Sequence, residues 1–287
     1  MTPITQDTRS SVRLQCLEIW GGNQAADSVV SVPGVDAHVV SRPHQGHAGG
    51  GDVHYVSTCA AGIISRFALA DVSGHGQTVA HVADALRRLM RRHMNTVDQS
   101  RIARALNREF AGLASAGRFA TAVLATYFEP TDHLIVCNAG HPRPLFCRDG
   151  SWSLLDERSA GAIPRGEVGG IANLPLGIIE PTDYAQFAVP LARGDIALFY
   201  TDAIIEAAPP GGPALGEAGL LDLASTLDPA RPEALAGALS DAVARHRGRR
   251  EADDDETVLV LHHNGAAAPG VGVAQRVRAW GRMLLGS

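Results

Sequence analysis

The chain has 287 residues, 45% of them hydrophobic, enough to bury a sizeable core as one large or two ordinary domains. A net charge of -5 carries no clustered Lys and Arg footprint and speaks against a nucleic-acid partner. Four cysteines with no CxxC spacing, a polar N-terminus unlike a signal peptide and no apolar run near the ~18 residues of a membrane span point to a soluble, unexported protein of the reducing cytoplasm, with no membrane partner.

Strands are expected first: Arg13 to Trp20, Asp36 to Arg42, Val53 to Cys59 and Ile63 to Val72 are short, rich in β-branched or aromatic residues and bounded by Gly and Pro. After the glycine turn at Ser73 to Gly76 the period changes. Two amphipathic helices follow, Thr78 to His93 and Gln99 to Ala114, the first with Val79, Val82, Ala83, Leu86, Leu89 and Met90 on one side and its arginines on a solvated face. Phe119 to Glu129, His133 to Gly140, Pro144 to Gly150 and Ser151 to Asp156 then read as an antiparallel meander. Glu157 to Gly170 has the composition of a mobile surface loop, a candidate flap for choosing a protein substrate. Strands resume at Tyr184 to Val189 and Ile196 to Tyr200, helices at Glu217 to Leu227 and Pro232 to His246, and Thr257 to His263 is the last strand. The basic run Arg245 to Glu251 reads as cations complementing a helix C-terminus.

With no repeat or long linker, the expected organisation is a flexible N-terminus (1–11), one domain (12–263) and a tether (264–287), in which Val273, Val277, Trp280 and Leu284 form one apolar helix stripe. Strand runs alternating with helix pairs make the class α+β, antiparallel sheets packed together with helices outside.

Carboxylates recur at strand termini. Asp202 follows the apolar strand of GDIALFYTDAIIEAAPP, Asp52 follows a glycine turn in GGGDVHYV, Asp71 stands in FALADVSGHG, and Asp253, Asp254 and Asp255 precede the last strand in EADDDETVLVL. Each alone is as well explained by a turn or a helix cap. Brought together on one edge of two stacked sheets, they would repel unless cations separated them, and oxygen ligands of this kind suit Mg²⁺ or Mn²⁺.

The order GGD, DVSGHG, F-A-T, NAGHPxPL, LPLGI, YTD and DDxTVLVL, here from Gly50-Gly51-Asp52 to Leu261, resembles the metal-dependent PP2C-like (PPM) serine/threonine phosphatases. It is most similar to the bacterial sporulation and stress-response branch acting on anti-anti-sigma factors. The resemblance spans about residues 45 to 262 and implies a four-layer αββα sandwich with two Mn²⁺ or Mg²⁺ ions at one edge. Carried over, Asp52 bridges the metals, Asp71 and the Val72 backbone carbonyl complete one, and Asp202 and Asp254 hold the other, with a one-residue slip to Asp255 left open. The implied activity is hydrolysis of phosphoserine or phosphothreonine on a regulatory protein by a two-metal-activated water, which consumes no protein nucleophile.

His75 is the candidate general acid, although it lies four residues beyond Asp71 where the eukaryotic enzymes place a histidine two residues beyond. His141 and Thr121 are candidate substrate-proximal residues. Two further departures are Ala203 in place of the usual Gly after YTD, and Tyr55 in place of an acid three residues after Asp52. Two rival readings remain: a non-catalytic phosphatase-like module that binds a phosphoprotein, and a zinc hydrolase using His44, His47, His54, His75 or His141. With fewer than fifty residues before GGD, regulation is expected from a partner, a homodimer or the metal supply rather than from an attached sensor domain.

Overall fold

A computed structural model of the chain describes residues 10–14, 18–59, 62–74, 77–93, 96, 98–113, 117–159, 161–165, 172–248 and 250–266. Fourteen strands among them form two seven-stranded sheets. The first contains β1 (Ser10–Arg13), β3 (Ala26–Val32), β4 (Val35–Arg42), β9 (Leu145–Arg148), β10 (Ser151–Leu154), β13 (Ile196–Tyr200) and β14 (Glu256–His263), in the order β1-β3-β4-β14-β13-β9-β10. The second contains β2 (Ile19–Gly22), β5 (Asp52–Cys59), β6 (Ile64–Val72), β7 (Ala120–Phe128), β8 (His133–Ala139), β11 (Ile163–Arg165) and β12 (Gln186–Pro190), in the order β11-β12-β8-β7-β6-β5-β2. All pairings are antiparallel except β1 with β3.

The period-two alternation of each strand divides its side chains between two cores. Val56, Phe67, Leu69, Val123, Ala125 and Tyr127 of the second sheet meet Val35, Ala37, Val39, Phe199, Leu259 and Leu261 of the first between the sheets. The opposite face of the second sheet buries Val53, Tyr55, Ala68 and Leu124 under α1 (Gln77–His93) and α2 (Gln99–Leu113). That of the first buries Val40, Leu198, Val258 and Val260 under α3 (Gly216–Ala224) and α4 (Pro232–His246). The result is the expected α+β, four-layer αββα sandwich.

The apolar stripe of α1 is buried as its spacing predicts, while Arg91 and Arg92 of its last turn are exposed. Helix α2 starts at Asp98, whose Oδ1 accepts the backbone N–H groups of Ser100 and Arg101 as an N-cap. Asn107 of α2 binds the backbone on both sides of Ile178, accepting Gly177 N–H at 2.7 Å and donating to Ile179 O at 2.8 Å. No helix of the described residues is long and apolar enough to cross a membrane.

Four expectations are corrected. Arg13 to Trp20 is not one strand: Arg13 ends β1 and Ile19 opens β2, in different sheets, and residues 15–17 lie outside the described residues. Strand β3 was not expected, although Val32-Pro33-Gly34-Val35 is a hairpin turn into β4. Ile163–Arg165, inside the stretch expected as a loop, pairs with β12 as an edge strand; residues 160 and 166–170 of that stretch lie outside the described residues. The meander expected from Phe119 to Asp156 is divided, β7 and β8 pairing in the second sheet and β9 and β10 in the first. Arg247, in the basic run at the end of α4, is buried, and its guanidinium pairs with the buried Glu256 at 3.1 Å. The expected helix stripe from Val273 to Leu284 lies outside the described residues.

Candidate functional site

Strand register builds one half of the site. Asp52 opens β5 opposite Asp71 of β6, and Asp71 stands opposite Thr121 of β7. By parity these three share the face that carries Val56, Leu69 and Val123 into the space between the sheets. The row continues to His141, whose Nδ1 lies 2.8 Å from Thr121 Oγ1. Beside it, Leu176 of the LPLGI segment exchanges backbone hydrogen bonds with Ala120 at 2.7 and 2.9 Å.

The first sheet supplies the other half. Strand β13 ends at Tyr200, and Asp202 starts a short 3₁₀ turn, Asp202–Ile204, which holds it half-buried at the same edge. Between them the fully buried Thr201 donates its hydroxyl to Asp52 Oδ2 at 3.0 Å and accepts Thr257 N–H at 3.0 Å. Asp52 is thus hydrogen-bonded across from one sheet to the other.

Both central acids are held far above the usual carboxylate range. Burial is the main cause at Asp52, opposed by hydrogen bonds from Thr257 and Thr201 and reinforced by the charges of Asp255 and Asp202. At Asp71 burial is followed by repulsion from Asp52, Asp202, Asp254 and Asp255, so five acids from both sheets share one field. Asp202 is raised by burial, and Glu206 by burial and by Asp202 and Asp254. Among the described residues no basic side chain forms an ion pair with Asp52, Asp71 or Asp202.

Buried like charges without a basic partner fit divalent cations held by oxygen. Among the described residues no three His, Cys, Asp or Glu groups are arranged to hold one ion by themselves. That is no obstacle for Mg²⁺, which takes one or two carboxylates and keeps several waters, whereas a closed zinc site takes four protein ligands.

The glycine turn explains its own composition. A Cβ on Gly51 would lie 2.8 Å from the Val72 carbonyl oxygen, and one on Gly50 would overlap the Asp255 carboxylate. Only bare Cα atoms let this turn approach both the predicted carbonyl ligand and the acidic loop. Asp255 is buried, its Oδ1 accepting His44 N–H at 2.6 Å and its Oδ2 Gly51 N–H at 2.7 Å. Asp254 is half-buried, and its Oδ1 accepts Asp255 N–H at 2.7 Å. Sequence reasoning gave Thr201 and Glu206 no role, and it left Asp255 open as a ligand; the signal for Thr201 was its place one residue before Asp202.

His141 is buried and clasped by Asn138, which accepts its N–H and donates to its carbonyl. Burial lowers its pKa to about 3, partly offset by the Tyr200 backbone, so the ring is neutral near pH 7. Among the described residues its buried Nε2 lies within hydrogen-bonding geometry of no partner. His44 Nδ1 lies 3.0 Å from Ala252 O, His47 stands edge-on to the His44 ring, and the fully buried His54 ring packs on Trp20. His75 lies outside the described residues.

The family profile described as Stage II sporulation protein E (SpoIIE) matches residues 65–264. The chain belongs to the SpoIIE family. A search of the curated proteins finds no match. Among solved structures, the RsbU and RsbW domains of Rv1364c from Mycobacterium tuberculosis are 27% identical, with a TM-score of 0.65 over 88% of this chain and 69% of that one. The PP2C phosphatase domain with a regulatory-domain fragment of SpoIIE from Bacillus subtilis is 17% identical, with a TM-score of 0.63 over 87% of this chain; the chain spans 64% of that one. The SiaA PP2C domain of Pseudomonas aeruginosa is 20% identical, with a TM-score of 0.63 over 79% of this chain and 85% of that one.

For a SpoIIE-family chain, the two departures at Ala203 and Tyr55 have structural answers. Ala203 does not take a left-handed conformation, so the turn after Asp202 accepts an L residue. Tyr55, three residues from Asp52, has the opposite parity and packs in the helix-facing core, away from the acids. Its role in the structure is packing.

Proposed function

We propose that this chain is a metal-dependent protein serine/threonine phosphatase that hydrolyses phosphoserine or phosphothreonine on a regulatory protein of the anti-anti-sigma type. The observation that carries the reading is the meeting of Asp52 and Asp71 from one sheet with Asp202 and Asp254 from the other, burial and mutual repulsion raising Asp71 with no basic ion-pair partner among the described residues. Membership of the SpoIIE family and the PP2C fold support the reaction class.

Asp52, Asp71, Asp202, Asp254 and the Val72 carbonyl would hold two Mn²⁺ or Mg²⁺ ions. When bound, such ions neutralise phosphate charge and make water a competent nucleophile near neutral pH. The protein's own part is positional. Thr201 fixes the orientation of the Asp52 carboxylate, and the Gly50-Gly51 turn admits the Val72 carbonyl to the edge. Thr121 fixes the neutral, buried His141 ring at the end of the row that carries Asp52 and Asp71.

The test is hydrolysis of an aryl phosphate and of a phosphorylated anti-anti-sigma-type protein with Mn²⁺, for wild type and Asp202→Ala. Turnover by wild type, abolished by EDTA and reduced at least a hundredfold in the variant, is expected. Mn²⁺-dependent binding of the phosphoprotein with no turnover would support the non-catalytic module instead, and restoration of activity by Zn²⁺ alone the zinc hydrolase.

A further inference from the structure

The acidic loop before β14 carries two neighbouring aspartates that the structure treats differently. Both carboxylate oxygens of Asp255 are engaged by backbone amides of the β4–β5 connection: His44 N–H on Oδ1 and Gly51 N–H on Oδ2. The Gly50 Cα lies against the same carboxylate so closely that a Cβ there would overlap it. Hydrogen bonds from backbone amides to a carboxylate are among the stronger ones, and here both are formed by a buried group. Asp254 is half-buried, and its Oδ1 accepts the N–H of its neighbour Asp255 rather than an amide of the β4–β5 connection.

We infer that Asp255 is a positioning residue that clasps the Gly50–Asp52 turn to the start of β14 and holds no cation itself. The clasp joins the two sheets at their shared edge. One end, Gly51, is the residue before Asp52; the other, Asp255, is the residue after Asp254. The spacing between those two acids therefore depends on it. The clasp itself stands on the two hydrogen bonds, while its consequence for cation binding rests on the two-metal reading.

The experiment uses the metal-free full chain. Backbone amide exchange at His44 and Gly51 is followed by NMR in wild type, Asp255→Asn, Gly50→Ala and Asp254→Asn, and the number and affinity of bound Mn²⁺ ions are then measured by calorimetry. Asp255→Asn keeps the shape but turns an NH₂ donor toward one of the two amides, and Gly50→Ala displaces the carboxylate by a separate route. At least tenfold faster exchange at Gly51 or His44 is expected in both, with none in Asp254→Asn. Asp255→Asn is expected to bind as many Mn²⁺ ions as wild type at roughly tenfold weaker affinity, and Asp254→Asn one ion fewer. Unchanged exchange at both amides in Asp255→Asn, or loss of an ion in that variant, would overturn the inference. If wild type binds no Mn²⁺, the two-metal reading fails and the exchange rates still decide the clasp.

Discussion

Thr201 donates its hydroxyl to Asp52 Oδ2 at 3.0 Å, and this one bond joins the end of β13 in the first sheet to the start of β5 in the second. Thr201 Oγ1 in turn accepts Thr257 N–H at 3.0 Å, so Thr201 satisfies a buried acid and a buried amide together. Thr201→Val preserves shape and removes both, leaving the buried Thr257 N–H unpaired and Asp52 with one hydrogen bond fewer, at a cost of about 1–3 kcal/mol. Thr201→Ser is expected to stay within about 1 kcal/mol of wild type. Urea unfolding of the metal-free chain checks this; equal stability of the Val and Ser variants would show that the hydroxyl contributes nothing to the join.

The acid cluster predicts how stability depends on pH. The folded-state pKa of Asp52 lies above its unfolded value, chiefly through burial and then through the nearby acids. Its contribution is therefore fully present below the ordinary carboxylate range and is lost as pH rises through the raised folded value. Asp52→Asn removes this penalty. In metal-free protein the variant should melt above wild type at pH 8 by several degrees, at about 2–4 °C per kcal/mol, with a smaller gap at pH 5. Mn²⁺ should raise the wild-type melting temperature and leave the variant nearly unchanged. A variant less stable than wild type at pH 8 without metal would contradict the repulsive field.

Much of this architecture was legible because it rests on period and punctuation. The buried stripe of α1, the pairs α3 and α4, and the strands from β4 to β14 other than β11 follow from repeating side-chain patterns that local sequence carries. The strand-end acids could be singled out for the same reason, since a strand's end is a local feature. What could not be read depends on direction in irregular backbone or on pairing over long separations. The choice between Asp254 and Asp255 turns on which carboxylate faces amides some 200 residues earlier in the chain, and no spacing encodes that. The division of Arg13 to Trp20 between two sheets and the burial of Arg247 by Glu256 are tertiary outcomes of the same kind.

His54 offers an independent pH test. Its ring is fully buried against Trp20, neither nitrogen has a hydrogen-bond partner among the described residues, and burial, with a smaller effect of the Arg87 charge, lowers its pKa to about 4. A lowered histidine pKa means that the unfolded chain takes up a proton which the folded one refuses. Wild type therefore loses stability as pH falls from about 6.5 toward 4. His54→Phe keeps an aromatic ring against Trp20 and loses no hydrogen bond, so its stability at pH 7.5 should match or exceed that of wild type. By pH 5 its relative advantage should grow by about 2 kcal/mol. Parallel stability curves for the two proteins between pH 7.5 and 5 would show that this imidazole ionises inside the fold.

Arg247 and Glu256 form a buried pair at 3.1 Å, with side chains 8% and 3% exposed, between the end of α4 and the first residue of β14. Arg247 also donates from Nε to Arg250 O at 3.2 Å, so it braces both sides of the loop that carries Asp254 and Asp255. Removing one partner of such a pair strands a desolvated charge, whereas removing both does not. Arg247→Met alone is expected to cost about 3–5 kcal/mol, and the double variant Arg247→Met with Glu256→Gln to recover most of it. The two single variants and the double variant together give the coupling energy directly. If the bracing extends to the acids, the double variant should be nearly as stable as wild type yet bind Mn²⁺ more weakly, because the loop has lost its tie to α4. A double variant as unstable as the single one would mean that Arg247 acts through its packing and its bond to Arg250 rather than through charge.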